Sequence, residues 1–338
     1  MKRHKICKII LAILAVFLCV AFYELIGICI TYKKHPAVSD ATIKETQNIM
    51  SVAGRENTER AVIIEKNSQA LLERVRLIQN AKDEIILSTF AFKSDESGKL
   101  ILGALHDAAD RGVHVRILVD GMESWIDMEG NPYFYGLSSH ENVEIKLYNK
   151  ANPLKPWKTM GRMHDKYLIA DGKIYILGGR NTYNYFLGDF PGHKNFDRDV
   201  LVVCDEPQKD NSVNQLWNYF ETIWEQEDCR YFHNSKKLAD RQSVKKAVLE
   251  LQEGYQQYFE VNKEKICDID YADETFETEK ITLLSNPIHT QAKEPVVWYQ
   301  LGELMKNAKE RVKIHTPYII CNDMMSNTWK EIAERVPD

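Results

Sequence analysis

The chain has no excess of positive charge. Its 44 Lys and Arg stand against 49 Asp and Glu, a formal net charge of −5, so no global basic field exists to hold nucleic acid non-specifically, although local basic patches remain open. It also lacks cysteines at metal-ligand spacing. Cys7, Cys19 and Cys29 fall in an amino-terminal apolar segment, while Cys204, Cys229, Cys267 and Cys321 are widely scattered. That excludes the common zinc patterns and reads most simply as small buried hydrophobes. Near the amino terminus there is no small-x-small cleavage site, and Ile28 ahead of Cys29 does not suit a lipid-modified cysteine. A removable signal peptide therefore gives way to an uncleaved anchor.

What the amino terminus does contain is "MKRHK", an apolar run over residues 9–23, Glu24, and further apolar residues to Ile30. This is long enough to cross a hydrocarbon core as one transmembrane helix. Glu24 lies toward the carboxyl end of the run, from where its carboxylate reaches the interface. Lys2, Arg3, Lys5 and Lys8 precede the run and only Lys33 and Lys34 follow it, which favours an inside amino terminus. The expectation is a single-pass protein of the cell membrane whose bulk is extracytoplasmic, where a disulfide is permitted but not required.

The 338 residues fit about two domains. We expect an anchor over 1–35, a polar connector over 36–60, a first domain over 61–230, a helical and acidic connector over 231–280, and the start of a second domain over 281–338. Apolar periodicity predicts a helix over 70–81, a strand in "EIILSTFAF" from Glu84, a helix over 99–111 stopped by Gly112, and a strand in "VHVRILVDG". Strand, helix, strand in that order implies an α/β fold with a mixed, mostly parallel sheet flanked by helices. Short strands follow at 143–148, in the pair that holds residues 163–181 and in "DVLVVC" from Asp199, then helices over 211–225 and 236–255. "NAKERVKIHTPYI" from Asn307 aligns with "NAKDEIILSTFAF" from Asn80, which predicts duplicated halves with the second incomplete.

The stretch "MHDKYLIADGKIYILGGRN", residues 163–181, carries the chemistry. Side chains alternate along a strand, so His164 and Lys166 share one face while Asp165 points away. Asp171, Gly172 and Lys173 make a tight hairpin turn, and the return strand ends in Gly178 and Gly179, which bring Asn181 back toward the pair. An imidazole attacks phosphorus to form a phosphohistidine, an ammonium offsets charge on a non-bridging oxygen, and an amide donates to another. No metal or cofactor is needed for that. Asp199, opening the next strand in "FDRDVLVV", is placed to orient an imidazole.

The spacing H-x-K-x-x-x-x-D, six residues, then G-G-x-N, carried by His164, Lys166, Asp171, Gly178, Gly179 and Asn181, resembles the phospholipase D superfamily. With "LHDAADRGVHVRILVDG" and "FDRDVLVV", the likeness runs over residues 69–226 and looks closest to the bacterial cardiolipin synthase branch. The resemblance implies a phospholipase D-like fold and phosphatidyl transfer to an alcohol through a covalent histidine, in a site built from two such motifs. His164 would be nucleophile or general acid, Lys166 and Asn181 would hold the phosphate, and Asp171 would serve more as support. The implied partners are a phospholipid substrate and the membrane, with no nucleic acid. "NPLKPWK" over 152–158, a Trp flanked by lysines, would then be either an interfacial contact or an ordinary surface loop. A second motif at the repeat's offset would lie past residue 338, so the chain as it stands is expected to transfer poorly as a monomer, unless a homodimer pairs two first halves. The alternatives are a nuclease or other phosphodiesterase of the same superfamily, and an inactive membrane-tethered relic or binding module.

Overall fold

The computed structural model describes residues 2–34, 36–51, 58–152, 154–267, 269–316 and 319–336. It forms two compact units that are not consecutive in sequence. One comprises Met1–Arg55, Lys155–Gly161 and Thr282–Asp338, the other Glu56–Leu154 and Arg162–Ile281.

Along the chain come α1 (Lys2–Tyr32), α2 (Asp40–Ser51), β1 (Arg60–Ile64), α3 (Asn67–Asn80), β2 (Glu84–Thr89), α4 (Glu96–Asp110), β3 (His114–Asp120), α5 (Gly121–Asp127), α6 (Pro132–Ser138) and β4 (Val143–Tyr148). A single 3₁₀ turn, Pro156–Lys158, precedes β5 (Tyr167–Ala170), β6 (Ile174–Gly178), β7 (Asp199–Val203), α7 (Ser212–Trp224) and β8 (Cys229–Tyr231). Then follow α8 (Lys236–Ala239), α9 (Gln242–Cys267), α10 (Tyr271–Glu274), β9 (Phe276–Glu277), α11 (Val296–Lys306) and α12 (Asp323–Arg335).

The second unit is built on one mixed sheet, in the order β8-β4-β3-β2-β5-β6-β7-β1-β9. The parallel share is smaller than expected: among the named strands only β2 with β3 and β3 with β4 run parallel and the other strand pairs are antiparallel, with one isolated parallel bridge between Phe92 and Thr182. Helical crossovers let β2 and β3, and β3 and β4, run parallel, while the tight hairpin from β5 to β6 makes that pair antiparallel. Strand alternation sends Ile85, Leu87, Val115, Ile117, Leu168, Ala170 and Leu201 into the main core with buried residues of α3, α4 and α9. The opposite face meets α7, where Tyr167 lies against Tyr219, the Tyr175 hydroxyl is 2.9 Å from that of Ser212, and the Arg116 guanidinium sits 4.8 Å from the Phe220 ring centre. Both faces are therefore covered.

Local chemistry sets the helix ends. Asp95 caps α4 by accepting from the Gly98 N–H at 3.1 Å, and Gly112, at φ 93, ends the turn that follows, as a residue without Cβ can. Two expected connectors hold more structure than their polarity suggested. α2 lies within the expected connector 36–60, of which residues 52–57 lie outside the described residues. In the acidic stretch, β9 pairs Glu277 with Arg60 and Phe276 with Ala61 of β1, so tertiary pairing supplies what propensity did not. Cys204 and Cys229 are buried as expected, but Cys267 and Cys321 are exposed.

In the first unit, α1 carries an apolar stretch, His4–Tyr32, long enough to cross a membrane. Glu294 accepts from the Ser39 N–H at 2.8 Å and the Thr42 hydroxyl at 2.6 Å, at the start of α2, and Trp298 of α11 meets Trp329 of α12 edge-on at 5.3 Å. The expected duplication is not confirmed. Helices flank the second copy as α3 and α4 flank β2, but described residues 307–316 form no strand, since a strand needs a neighbour to satisfy its backbone groups. Pro317 and Tyr318 of that copy lie outside the described residues.

Candidate active site

The β5–β6 hairpin positions the motif. Asp171 and Gly172 adopt φ 52 and 61, the left-handed pair that lets the chain reverse tightly, and the Lys173 N–H donates to Ala170 O at 3.0 Å. The Asp171 carboxylate accepts from the N–H groups of Lys82, Asp83 and Glu84 at 2.9, 2.8 and 2.9 Å. It thus ties the hairpin to the start of β2, at the end of β5 remote from His164, in a supporting position.

His164 and Lys166 lie in the extended run-in just ahead of β5, with the alternation expected of them. Lys166 Nζ is 3.1 Å from His164 Nδ1 and donates to His164 O at 2.6 Å. Asp165 turns the other way and accepts from the Tyr219 hydroxyl at 2.8 Å. The imidazole is exposed, whereas Lys166 is only 5% exposed. Among the described residues no carboxylate forms an ion pair with Lys166. Burial pulls its pKa from 10.5 down to about 8, against the attraction of Asp165 and Asp197. Partial withdrawal from water and the Lys166 cation also hold His164 below the ordinary imidazole value, Asp120 acting upward and Arg162 downward. The result is an imidazole held toward its neutral form beside an ammonium that makes no ion pair among the described residues.

Phe90, just past β2, is the hub of this edge. Its ring centre lies 4.4 Å from that of His164, 5.3 Å from the Arg162 guanidinium and 5.4 Å from Lys166 Nζ. Arg162 in turn donates through Nε to both Asp120 oxygens at 2.9 and 3.0 Å, and Asp120, 1% exposed, also accepts from the Met163 N–H at 3.1 Å. Asn181 is brought alongside, because its Oδ1 accepts from the N–H of Ala91, next to Phe90, at 3.1 Å. That bond leaves the amide NH₂ as its donor half.

Asp199 goes elsewhere. Its Oδ2 meets Arg74 Nη1 at 2.9 Å and Arg180 Nη1 at 3.3 Å, and both arginines are buried. β6 runs between β5 and β7, and Asp199 pairs with Gly178, which pairs it off by two strand spacings, roughly 9–10 Å, from the β5 run-in. An orienting contact with the imidazole is not made. The two glycines are needed for this approach: a Cβ on Gly178 would collide with the Asp199 carboxylate, and one on Gly179 with that of Asp197. Sequence reasoning missed Phe90, Asp120, Arg162, Arg74 and Arg180. Arg162 could have been found, since it shares the alternation phase of His164 and Lys166, and Asp120 is the carboxylate that ends the buried strand β3. Phe90 carries no such signal.

A mixed sheet whose edge presents a histidine, a lysine and an asparagine defines the class to be compared. Residues 75–224 match the family described as cardiolipin synthase, PLD-like domain. Over these residues the chain is similar to the phospholipase D superfamily, near the cardiolipin synthases. An uncharacterized protein of Helicobacter pylori (strain ATCC 700392 / 26695) is 28% identical over 302 residues, covering 81% of this chain and 57% of its own length. Cardiolipin synthase C of Escherichia coli (strain K12) is 29% identical over 154 residues, 41% of this chain and 31% of that one. The crystal structure of a phospholipase D family member, Nuc from Salmonella typhimurium, aligns with 17% identity and a TM-score of 0.38, over 52% of this chain and 99% of that one. The chain thus spans about half the length of the first of these relatives.

Proposed function

We propose that the chain is a membrane-anchored phosphatidyltransferase of the cardiolipin synthase type, acting on phospholipid through a phosphohistidine at His164. The observation that carries this reading is the placement of Lys166 Nζ 3.1 Å from His164 Nδ1 without a carboxylate partner among the described residues. Nε2 needs its lone pair to attack, so the ring proton must sit on Nδ1, where it opposes the ammonium. A bound phosphodiester resolves the conflict by offering Lys166 an anionic oxygen, while the Asn181 amide donates to another. The P–Nε2 bond forms as the bond from phosphorus to the leaving alcohol breaks, and that alkoxide takes a proton from a second group on the far side. The acceptor alcohol then gives up its proton, attacks phosphorus and frees the imidazole. One imidazole cannot both attack and protonate in the same step, so the reading requires a second proton donor, supplied by another copy of the chain or by further polypeptide. α1 would keep the domain beside its lipid pool.

The test is to incubate the full chain in vesicles with radiolabelled phospholipid and an acceptor alcohol, quench, and map any protein-bound label. An adduct on His164 and loss of transfer in His164→Asn are expected. Label on another residue, or undiminished transfer in the variant, overturns the assignment.

A further inference from the structure

The anchor helix and the segment leading to His164 are packed together. The 3₁₀ turn at Pro156–Lys158 lies so close to α1 that a Cβ on Gly27 would stand 2.7 Å from Pro156 Cγ and 3.0 Å from its Cβ. At the end of the same segment, a Cβ on Gly161 would stand 2.5 Å from Thr290 Cα, and the Thr290 carbonyl accepts from the hydroxyl of Tyr32, the last residue of α1, at 2.9 Å. Residues remote in sequence thus enclose the carboxyl end of the anchor. Pro156 is buried in this contact, while Trp157 and Met160 remain 39% and 57% exposed and Lys155 points to solvent.

The depth of that contact follows from helix geometry. The apolar stretch His4–Tyr32 has 29 residues, about 43 Å at 1.5 Å per residue, against a hydrocarbon core of about 30 Å. Shared between the two ends, the excess is about 6–7 Å each. Gly27 precedes the end of α1 by roughly 7–8 Å, so it falls at the boundary between acyl chains and headgroups. A tryptophan, a methionine and lysines at that level are what an interfacial layer accommodates.

We propose that the Lys155–Gly161 turn is a phospholipid contact, held in the headgroup layer by Gly27 of the anchor. Trp157 and Met160 enter the acyl–glycerol boundary and Lys155 meets lipid phosphate. The inference rests on the reading of α1 as a membrane anchor and adds a lipid-binding element to it.

The test uses the full chain in vesicles and has two readouts besides activity. In a Cys29→Ser background, Gly27→Cys with Pro156→Cys should cross-link under mild oxidation, once the ideal Cβ separation of 3.0 Å opens by about 0.5–1 Å into the disulfide range. In vesicles of phospholipid brominated on the acyl chains, Trp157→Phe should quench less than the parent chain. A membrane-retained protein that fails to cross-link, or whose quenching is unchanged by Trp157→Phe, overturns this inference alone. Release of the chain from vesicles by alkaline carbonate overturns the anchor reading and this inference with it.

Discussion

Replacing Lys166 with methionine is expected to abolish activity and to stabilise the fold. Burial lowers the Lys166 pKa from 10.5 to about 8, and at roughly 1.4 kcal/mol per pKa unit the charged side chain costs the folded state about 3 kcal/mol near neutrality. The lysine is 5% exposed, so solvent screening takes little off that figure. Methionine has similar length and no charge to desolvate, but it forfeits the contacts to His164 Nδ1 and O, about 0.5–1.5 kcal/mol each. The net gain is about 1–2 kcal/mol, or a rise of about 2–8 °C in Tm. Its pH dependence has a definite sign. Because the folded pKa lies below the unfolded one, the penalty is fully present below pH about 8 and disappears as pH rises to about 10.5, where the lysine is neutral in both states. Thermal unfolding of the full chain in detergent, followed by tryptophan fluorescence near pH 7 and near pH 10, should show the variant's advantage at the lower pH only. Activity should fall about 100-fold or more, as for loss of one transition-state donor. A variant less stable than its parent near pH 7, or a difference that does not change with pH, would refute the claim that Lys166 is held as a desolvated cation.

Two further outcomes separate support from chemistry. Asp199→Asn leaves Arg74 and Arg180, whose side chains are 6% and 0% exposed, without their anion and should cost about 3–5 kcal/mol of stability; unchanged unfolding with a displaced acid limb in the pH–rate profile would instead make Asp199 an imidazole partner. Phe90→Leu removes the π face beside the imidazole and keeps the site dry, so the His164 titration, read by NMR of the ring carbons, should fall by about half a pKa unit, with Phe90→Tyr restoring it. An unchanged midpoint would show that the ring only fills space.

Several features of the site were legible because their causes are local. Period-two alternation was enough to put His164 and Lys166 on one side and Asp165 on the other. The demand for positive φ was enough to place the hairpin at Asp171 and Gly172, and the glycine pair announced a close backbone approach before Asn181. The length of the apolar run marked α1 without reference to anything it touches. Each of these follows from geometry within a few residues of the position concerned.

What escaped the sequence depended on which segments become neighbours. Asp199 looked equally fit to orient an imidazole or to neutralise arginines, and only the insertion of β6 between β5 and β7 decided for Arg74 and Arg180. Phe90 gains its role from the end of β2 lying beside the β5 run-in, and β9 becomes a strand only because β1 is there to pair with it. The same dependence worked in reverse at residues 307–316, where a strand-like stretch found no partner among the described residues and formed none. A chain can encode φ preference, alternation and apolar length one residue at a time. Backbone pairing, burial and the charge environment of a side chain are properties of two segments at once, and they exist only after the fold has brought those segments together.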